Sequence, residues 1–166
     1  MLKAGPVIFF CFFTINCFAD NLSVSRNLVY AEILGRGGYG SLNYERLILR
    51  QEFMSMGLSL GAGTYNVYDF EGRFNPDLIL PFSLNFYFFE PHSIEVGIGS
   101  ALSSIIQVDQ ANWQPERINR MSMNFALGYR YRKSEGGLVF GAGYKPVIEF
   151  YRRFVHWGGI SFGYAF

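Results

Sequence analysis

The last eight residues, Gly159 to Phe166, alternate without a break. Ile160, Phe162, Tyr164 and Phe166 fall on one side of an extended chain, and Gly159, Ser161, Gly163 and Ala165 on the other. Successive side chains of a strand point to opposite faces, so this stretch is a strand with one bulky apolar face and one face of very small residues. A sheet in water normally buries its bulky face and puts polar side chains on the other. Here the second face is small, as if it lined a cramped interior.

The pattern recurs along the chain. Met54, Met56, Leu58, Leu60 and Ala62 oppose Ser55, Gly57, Ser59, Gly61 and Gly63, and Leu78, Leu80, Phe82, Leu84, Phe86 and Phe88 share a register. Met121, Met123, Phe125, Leu127, Tyr129 and Tyr131 face away from Arg120, Ser122, Asn124, Ala126, Gly128, Arg130 and Arg132. Turn signals between such runs give eight expected strands, over 28–34, 39–47, 53–64, 77–88, 93–106, 118–132, 137–147 and 157–166. Gly35-Arg36-Gly37-Gly38 is read as a hairpin, although a glycine kink inside one long strand would reduce the count to seven. Pro81 cannot donate to a ladder, and a closed barrel has no edge to hold it, so a bulge is expected there. The fold class is all-β: an eight-stranded antiparallel up-and-down transmembrane β-barrel. Its connections alternate short and long after the first break, as membrane barrels do.

Composition agrees with strands rather than helices as the spanning elements. Half of the chain is hydrophobic and 19% aromatic, yet the mean hydropathy is only +0.14. After the first 19 residues no run is apolar enough for a membrane-spanning helix, which needs about 20 residues. Those first residues form a secretory signal: Lys3 supplies the positive charge, Val7 to Phe13 the apolar stretch, and Cys17-Phe18-Ala19 the cleavage site. The expected domains are a signal peptide over 1–19 and an outer-membrane barrel over 20–166, beginning at Asp20. Both cysteines, Cys11 and Cys17, lie in the signal, so disulfides and thiolate metal sites are excluded. No metal or other cofactor is expected. Loss of Lys3 leaves acids and bases balanced, and a nucleic-acid partner would want a basic excess.

The bulky face carries no charge in the well-patterned parts of strands three to eight. Aromatics gather at strand ends, with Phe53, Phe86, Phe88, Tyr129, Tyr131, Tyr164 and Phe166 at one rim and Tyr65, Phe74, Trp113, Tyr144 and Trp157 at the other. Two such bands read as girdles at the membrane–water boundary. The small face makes room for a few large polar groups, and eight strands enclose only enough space for side chains. An interior charge network of Glu32, Glu45, Glu95, Arg130 and Lys145 is expected, with Glu95 and Arg130 paired. Asn43, Asn85, Tyr87 and Asn124 would fill the remaining bore.

Alternating strands, girdles, matched interior charges and a terminal Phe together resemble the small outer-membrane barrels of the OmpA/OmpX type. The stretch Gly38 to Arg46 is similar to one in uncharacterised small barrels of Gram-negative outer membranes. The resemblance implies location in the bacterial outer membrane, among outer-membrane lipid and lipopolysaccharide. It also implies that Phe162, Tyr164 and Phe166 form the assembly signal read by the barrel assembly machinery. It carries no specific activity. Lipid A deacylases, which resemble this chain in size, use a His and a Ser two apart on one strand face. Here His92 is followed directly by Ser93, and Gly158 stands two residues after His156. A palmitoyltransferase arrangement would need His156, Asp109 and Ser103 or Ser104 to assemble at the outer rim. The expected role is non-enzymatic, structural or surface-interacting. The alternatives are a lipid A-modifying enzyme and a soluble lipocalin-like barrel, whose large hydrophobics would point inward. The working parts would be the loops Tyr65–Pro76, Gln107–Arg117 and Glu149–His156. Their Arg73, Trp113, Arg117, Arg152 and Arg153 are candidates to hold lipopolysaccharide phosphates or an unknown surface partner.

Overall fold

The computed structural model describes residues 24–69, 72–108, 115–149 and 154–166. The signal segment, Asp109, Trp113, Arg152 and Arg153 lie outside the described residues. The strands are β1 (Asn27–Ile33), β2 (Gly40–Arg50), β3 (Met54–Thr64), β4 (Leu78–Phe88), β5 (His92–Val108), β6 (Pro115–Tyr131), β7 (Gly137–Tyr144), β8 (Val147–Glu149), β9 (Phe154–Val155) and β10 (Gly158–Ala165). Each pairs antiparallel with its neighbours, and β1–β10 and β5–β6 pairing completes the ring.

Ten segments make eight walls. β7 and β8 pair with β6 in one continuous register, from Tyr131↔Phe140 through Leu127↔Tyr144 to Ser122↔Glu149. They are one strand interrupted at Lys145-Pro146, where proline has no N–H to give; its carbonyl still accepts from the Phe125 N–H at 3.1 Å. β9 and β10 are likewise one strand, since Val147↔Val155 and Gly158↔Tyr144 share a register and the Lys145 N–H donates to the Trp157 carbonyl at 2.7 Å. The last wall closes on the first through reciprocal main-chain bonds of 2.9 Å between Phe166 and Asn27.

Residues 34–39 form a hairpin between β1 and β2, closed by the Leu34 N–H on the Tyr39 carbonyl at 3.0 Å, so the count is eight rather than seven. Pro81 is not at a bulge. It lies in an unbroken β4–β5 ladder opposite Ala101, and the cost falls on the β3 side, where pairing lapses between Leu60↔Phe82 and Gly63↔Ile79 without a register shift. The bulge lies instead in β2, between Leu47 and Leu49, and it leaves Ile48 and Leu49 both outward. Two expected loops are shorter than the sequence suggests. Gln107 and Arg117 are paired within β5 and β6, and Glu149, Phe154 and Val155 are in strands.

Alternation puts the chemistry inside out relative to a protein folded in water. Leu42, Leu60, Leu102, Leu127, Phe162 and Tyr164 are among the exposed outward residues, while Glu45, Glu95, Arg130 and Lys145 are buried. A lipocalin-like barrel would show the reverse. Arg46, near the short-turn end of β2, and Arg117, at the long-loop end of β6, are outward cations toward the two rims. Among the described residues, outward positions at mid-wall carry none.

Candidate functional site

Eight strands leave a bore that side chains just fill. Glu45 is wholly buried at the level of β2, β4 and β6. Its Oε2 accepts from the Asn85 amide at 2.9 Å and the Tyr87 hydroxyl at 2.5 Å. Its Oε1 accepts from Arg132 Nη1 at 3.3 Å, and Arg132 Nη2 donates to the Ser25 carbonyl at 3.1 Å. The carboxylate is thus satisfied by two neutral donors and a cation, as a desolvated charge requires.

Glu95 lies between two guanidinium groups. Arg36 Nη2 donates to its Oε1 at 2.9 Å; Arg130 Nε donates to its Oε2 at 3.1 Å, with Arg130 Nη2 3.0 Å from the same oxygen. The Arg130 guanidinium is also sandwiched, 5.0 Å from the Tyr30 ring centroid and 5.1 Å from that of Tyr87. Its Nη1 comes within 3.9 Å of Glu45, so Arg130 bridges the two acids. Glu32 makes a third pair, accepting from Lys145 Nζ and from the Arg36 backbone N–H at 2.9 Å. All five residues expected in the interior network therefore lie in it, and Glu95 and Arg130 are in contact. Asn43 and Asn124 are buried in the same bore.

Two cations were not legible as members. Arg132 directly follows β6, with the parity of its inward face but at a position where a turn residue could equally face water. Arg36 belongs to the β1–β2 hairpin and reads as a loop residue. The hairpin instead folds into the barrel, and Arg36 also donates to Ser83 Oγ and, at 2.7 Å, to Asn85 Oδ1. The enabling signal is the glycine run around it. Gly35 has φ +115°, and a Cβ there would come 2.2 Å from Glu32 Oε1. Gly128 and Gly143 make room in another way. They face each other across β6 and β7, and a Cβ on Gly128 would lie 2.7 Å from the Gly143 Cα. Among the described residues the plug holds three acids, Glu32, Glu45 and Glu95, and four cations, Arg36, Arg130, Arg132 and Lys145.

Above the plug, Tyr39, Tyr65 and Trp157 form a three-ring cluster at the long-loop mouth. Tyr39 stacks on Trp157 at 5.9 Å, and Tyr65 meets both edge-on at 5.6 and 6.4 Å. Trp157 lies opposite the buried Lys145, so it shares the inward face; Trp157 and Tyr65 cap the bore rather than belonging to an outward girdle. Burial, with Glu149 nearby, pushes the Tyr65 hydroxyl above its ordinary pKa. The other rim keeps its outward aromatics: Phe53, Tyr129, Tyr164 and Phe166 are exposed.

The remaining candidates are dispersed. Phe162, Tyr164 and Phe166 point outward on the closing strand, each nearly three-fifths exposed. Arg73 sits in the loop after β3, its N–H on Asp69 Oδ1 at 2.9 Å. Arg117 is a strand residue of β6, not a loop residue. The two histidines occupy opposite rims, each against a tyrosine: His92 Nδ1 lies 2.7 Å from the Tyr129 hydroxyl, and His156 Nδ1 lies 2.6 Å from that of Tyr144. β5, with Ser103 and Ser104, is separated by the β6 and β7–β8 walls from the β9–β10 wall that holds His156.

No known family description matches the chain, and no characterised protein matches it in sequence. Solved structures do match in shape. The N-terminal β-barrel domain of OprF from Pseudomonas aeruginosa superposes with a TM-score of 0.59 at 13% identity, covering 87% of this chain and 98% of that one. The outer membrane protein Ail of Yersinia pestis, solved in a phospholipid bilayer nanodisc, gives 0.50 at 13% identity over 86% of this chain and 99% of its own. At such identity the likeness is one of fold: this chain is a closed eight-stranded antiparallel barrel of the outer-membrane type.

Proposed function

We propose that this protein is an integral outer-membrane barrel, closed to solutes by its own side chains, that works through its outer surface and long-loop end rather than by chemistry. The observation that carries the reading is the inversion of polarity. The lumen holds seven interlocked charged side chains, whereas the outward wall is apolar between the rims. Each charge set outward at mid-depth would cost about 2–4 kcal/mol in lipid, so an apolar wall around a charged lumen is the stable arrangement there. In water the same wall would be a continuous exposed apolar surface far beyond what monomers tolerate.

A secreted chain that closes its final wall against its first suits assembly into the membrane from the periplasmic side, with Phe162, Tyr164 and Phe166 facing the lipid and the assembly machinery. The surface role follows from the plug: with the bore occupied, the long-loop end and the lipid-facing wall remain for binding. Expression of the full chain in a Gram-negative host, fractionation of the envelope and mass determination of the product test the proposal. A protein in the outer-membrane fraction with Asp20 at its N-terminus is expected. The intact chain in the soluble periplasm would overturn it.

A further inference from the structure

The outward wall is not uniform. At the long-loop end, β4, β5 and β6 enclose a furrow of about 430 Å³, open to the side. Its shape follows from register. Leu80, Leu102 and Met121 form one cross-strand row; Leu78, Ser104 and Asn119 form the next toward the long loops. Ser104 is the smallest of its row, so the wall is indented between Leu78 and Asn119. In the row above, Ile106 pairs with Arg117. Arg117 reaches across the head of the furrow: Nη1 donates to the Ser104 carbonyl and hydroxyl, each at 3.4 Å, and Nη2 to Asn75 Oδ1 at 2.5 Å and the Pro76 carbonyl at 3.3 Å.

We infer that this furrow holds one acyl chain of a phosphate-bearing lipid of the outer leaflet, with the phosphate on Arg117; the inference rests on the membrane location proposed above. Among the described residues, the four acceptors that hold Arg117 are all neutral oxygens. They fix the guanidinium's position without neutralising it, and a fixed guanidinium matches a phosphate's oxygens in a fork. Below this charge lies a slot whose apolar lining is Leu78, Leu80, Leu102 and Met121, of the volume usual for small-ligand sites. Arg120 also lines it, but its guanidinium is held by Gln107 at 2.8 Å and lies 3.9 Å from Glu149, so Arg117 is the cation left for a phosphate. A cation at the water boundary above an apolar slot in the wall complements a lipid with a phosphorylated head and a hydrocarbon tail. A soluble anion would use the first feature and leave the second empty. Asn119, exposed beside the slot, can hydrogen-bond to a polar head or linkage. The long-loop end faces outside in this orientation, so the lipid is one of the outer leaflet.

Native mass spectrometry of the refolded barrel counts retained lipid. The probes are a bisphosphorylated lipid A, phosphatidylglycerol and an uncharged diacylglycerol. Wild type should retain one lipid A per barrel and little diacylglycerol. Retention of phosphatidylglycerol to the same extent would show that a phosphate and an acyl chain suffice. Arg117→Gln should weaken retention about tenfold, which is about 1.4 kcal/mol. Arg117→Lys should recover part of it. Ser104→Phe fills the slot and should abolish it, whereas Ala31→Phe, outward on the opposite part of the wall, should change nothing. Should Ser104→Phe fail to fold, as read by heat-dependent gel mobility, the two Arg117 variants still decide. Equal retention by wild type and Arg117→Gln, or loss with Ala31→Phe as great as with Ser104→Phe, overturns the site. A correctly localised protein with unaltered retention removes only the furrow; a soluble chain removes the membrane reading.

Discussion

Replacement of Arg130 by alanine tests the interior network at its centre. Arg130 is 1% exposed, pairs with Glu95 at 3.0 Å, approaches Glu45 at 3.9 Å and lies between two tyrosine rings. Removing one member of a buried ion pair usually costs about 3–5 kcal/mol, because the other charge is stranded. Neither acid is fully stranded here. Glu95 keeps Arg36 at 2.9 Å, and Glu45 keeps Arg132 at 3.3 Å. That argues for the lower part of the range. Loss of cation–π contact with Tyr30 and Tyr87 adds about 0.5–2 kcal/mol per ring when desolvated, and part of it is already counted in the burial. A destabilisation of about 3–4 kcal/mol is therefore expected. The assay is reversible urea unfolding of the refolded barrel in lipid vesicles, followed by tryptophan fluorescence, with the slope compared to confirm that the same surface is exposed. Arg36→Ala leaves Glu95 paired with Arg130 and should cost less than Arg130→Ala. A loss below about 1 kcal/mol for Arg130→Ala would refute the reasoning, because that is the scale of a solvent-exposed pair.

Lys145→Met should destabilise by several kcal/mol, since Glu32 has no other ion-pair partner among the described residues; adding Glu32→Gln should restore much of the loss, a coupling that a double-mutant cycle in the same unfolding assay reads directly. Gly35→Val should also destabilise, because its side chain would meet Glu32 and its φ of +115° suits glycine; a denaturation midpoint equal to wild type would contradict the inward-folded hairpin. Deleting Phe166 should lower the yield of inserted barrel in cells while leaving the refolded protein's spectrum unaltered, read by the folded and unfolded bands on an unheated gel.

The period-2 pattern made the barrel legible because a strand with both faces specified has only one workable register. Strands β3, β4 and β6 alternate so strictly that facing directions follow from the residues, and the expected bounds of β3 and β4 fall within one residue of the observed ones. Glu45 and Glu95 stood out as charges on faces of small or neutral polar residues, and Glu32 as the one charge on a face it shares with Leu28 and Tyr30. Arg36 did not, because a turn residue's destination depends on how the hairpin folds after the strands have paired. The furrow was hidden for a similar reason. Ser104 looks like any small strand residue, and only the pairing that puts it between Leu78 and Asn119 makes it an indentation. Arg117 was read as a loop residue because polar residues surround it, yet β5 and β6 extend their ladder to Val108 and Pro115. Backbone pairing with a long neighbour there overrides local polarity. Tyr65 and Trp157 were misread as lipid-facing because aromatics at strand ends suit either a girdle or a cap; their parity with Gly63 and Gly159, on the small faces of their own strands, distinguishes the two.

Planar-bilayer recording of the wild-type protein is the most direct test of a barrel closed by its own side chains. Seven charged residues interlock across the lumen, and the Tyr39, Tyr65 and Trp157 rings close over its long-loop end. Reconstituted protein should leave the membrane current at its baseline. Steady conductance on the scale of a water-filled porin would contradict the filled interior.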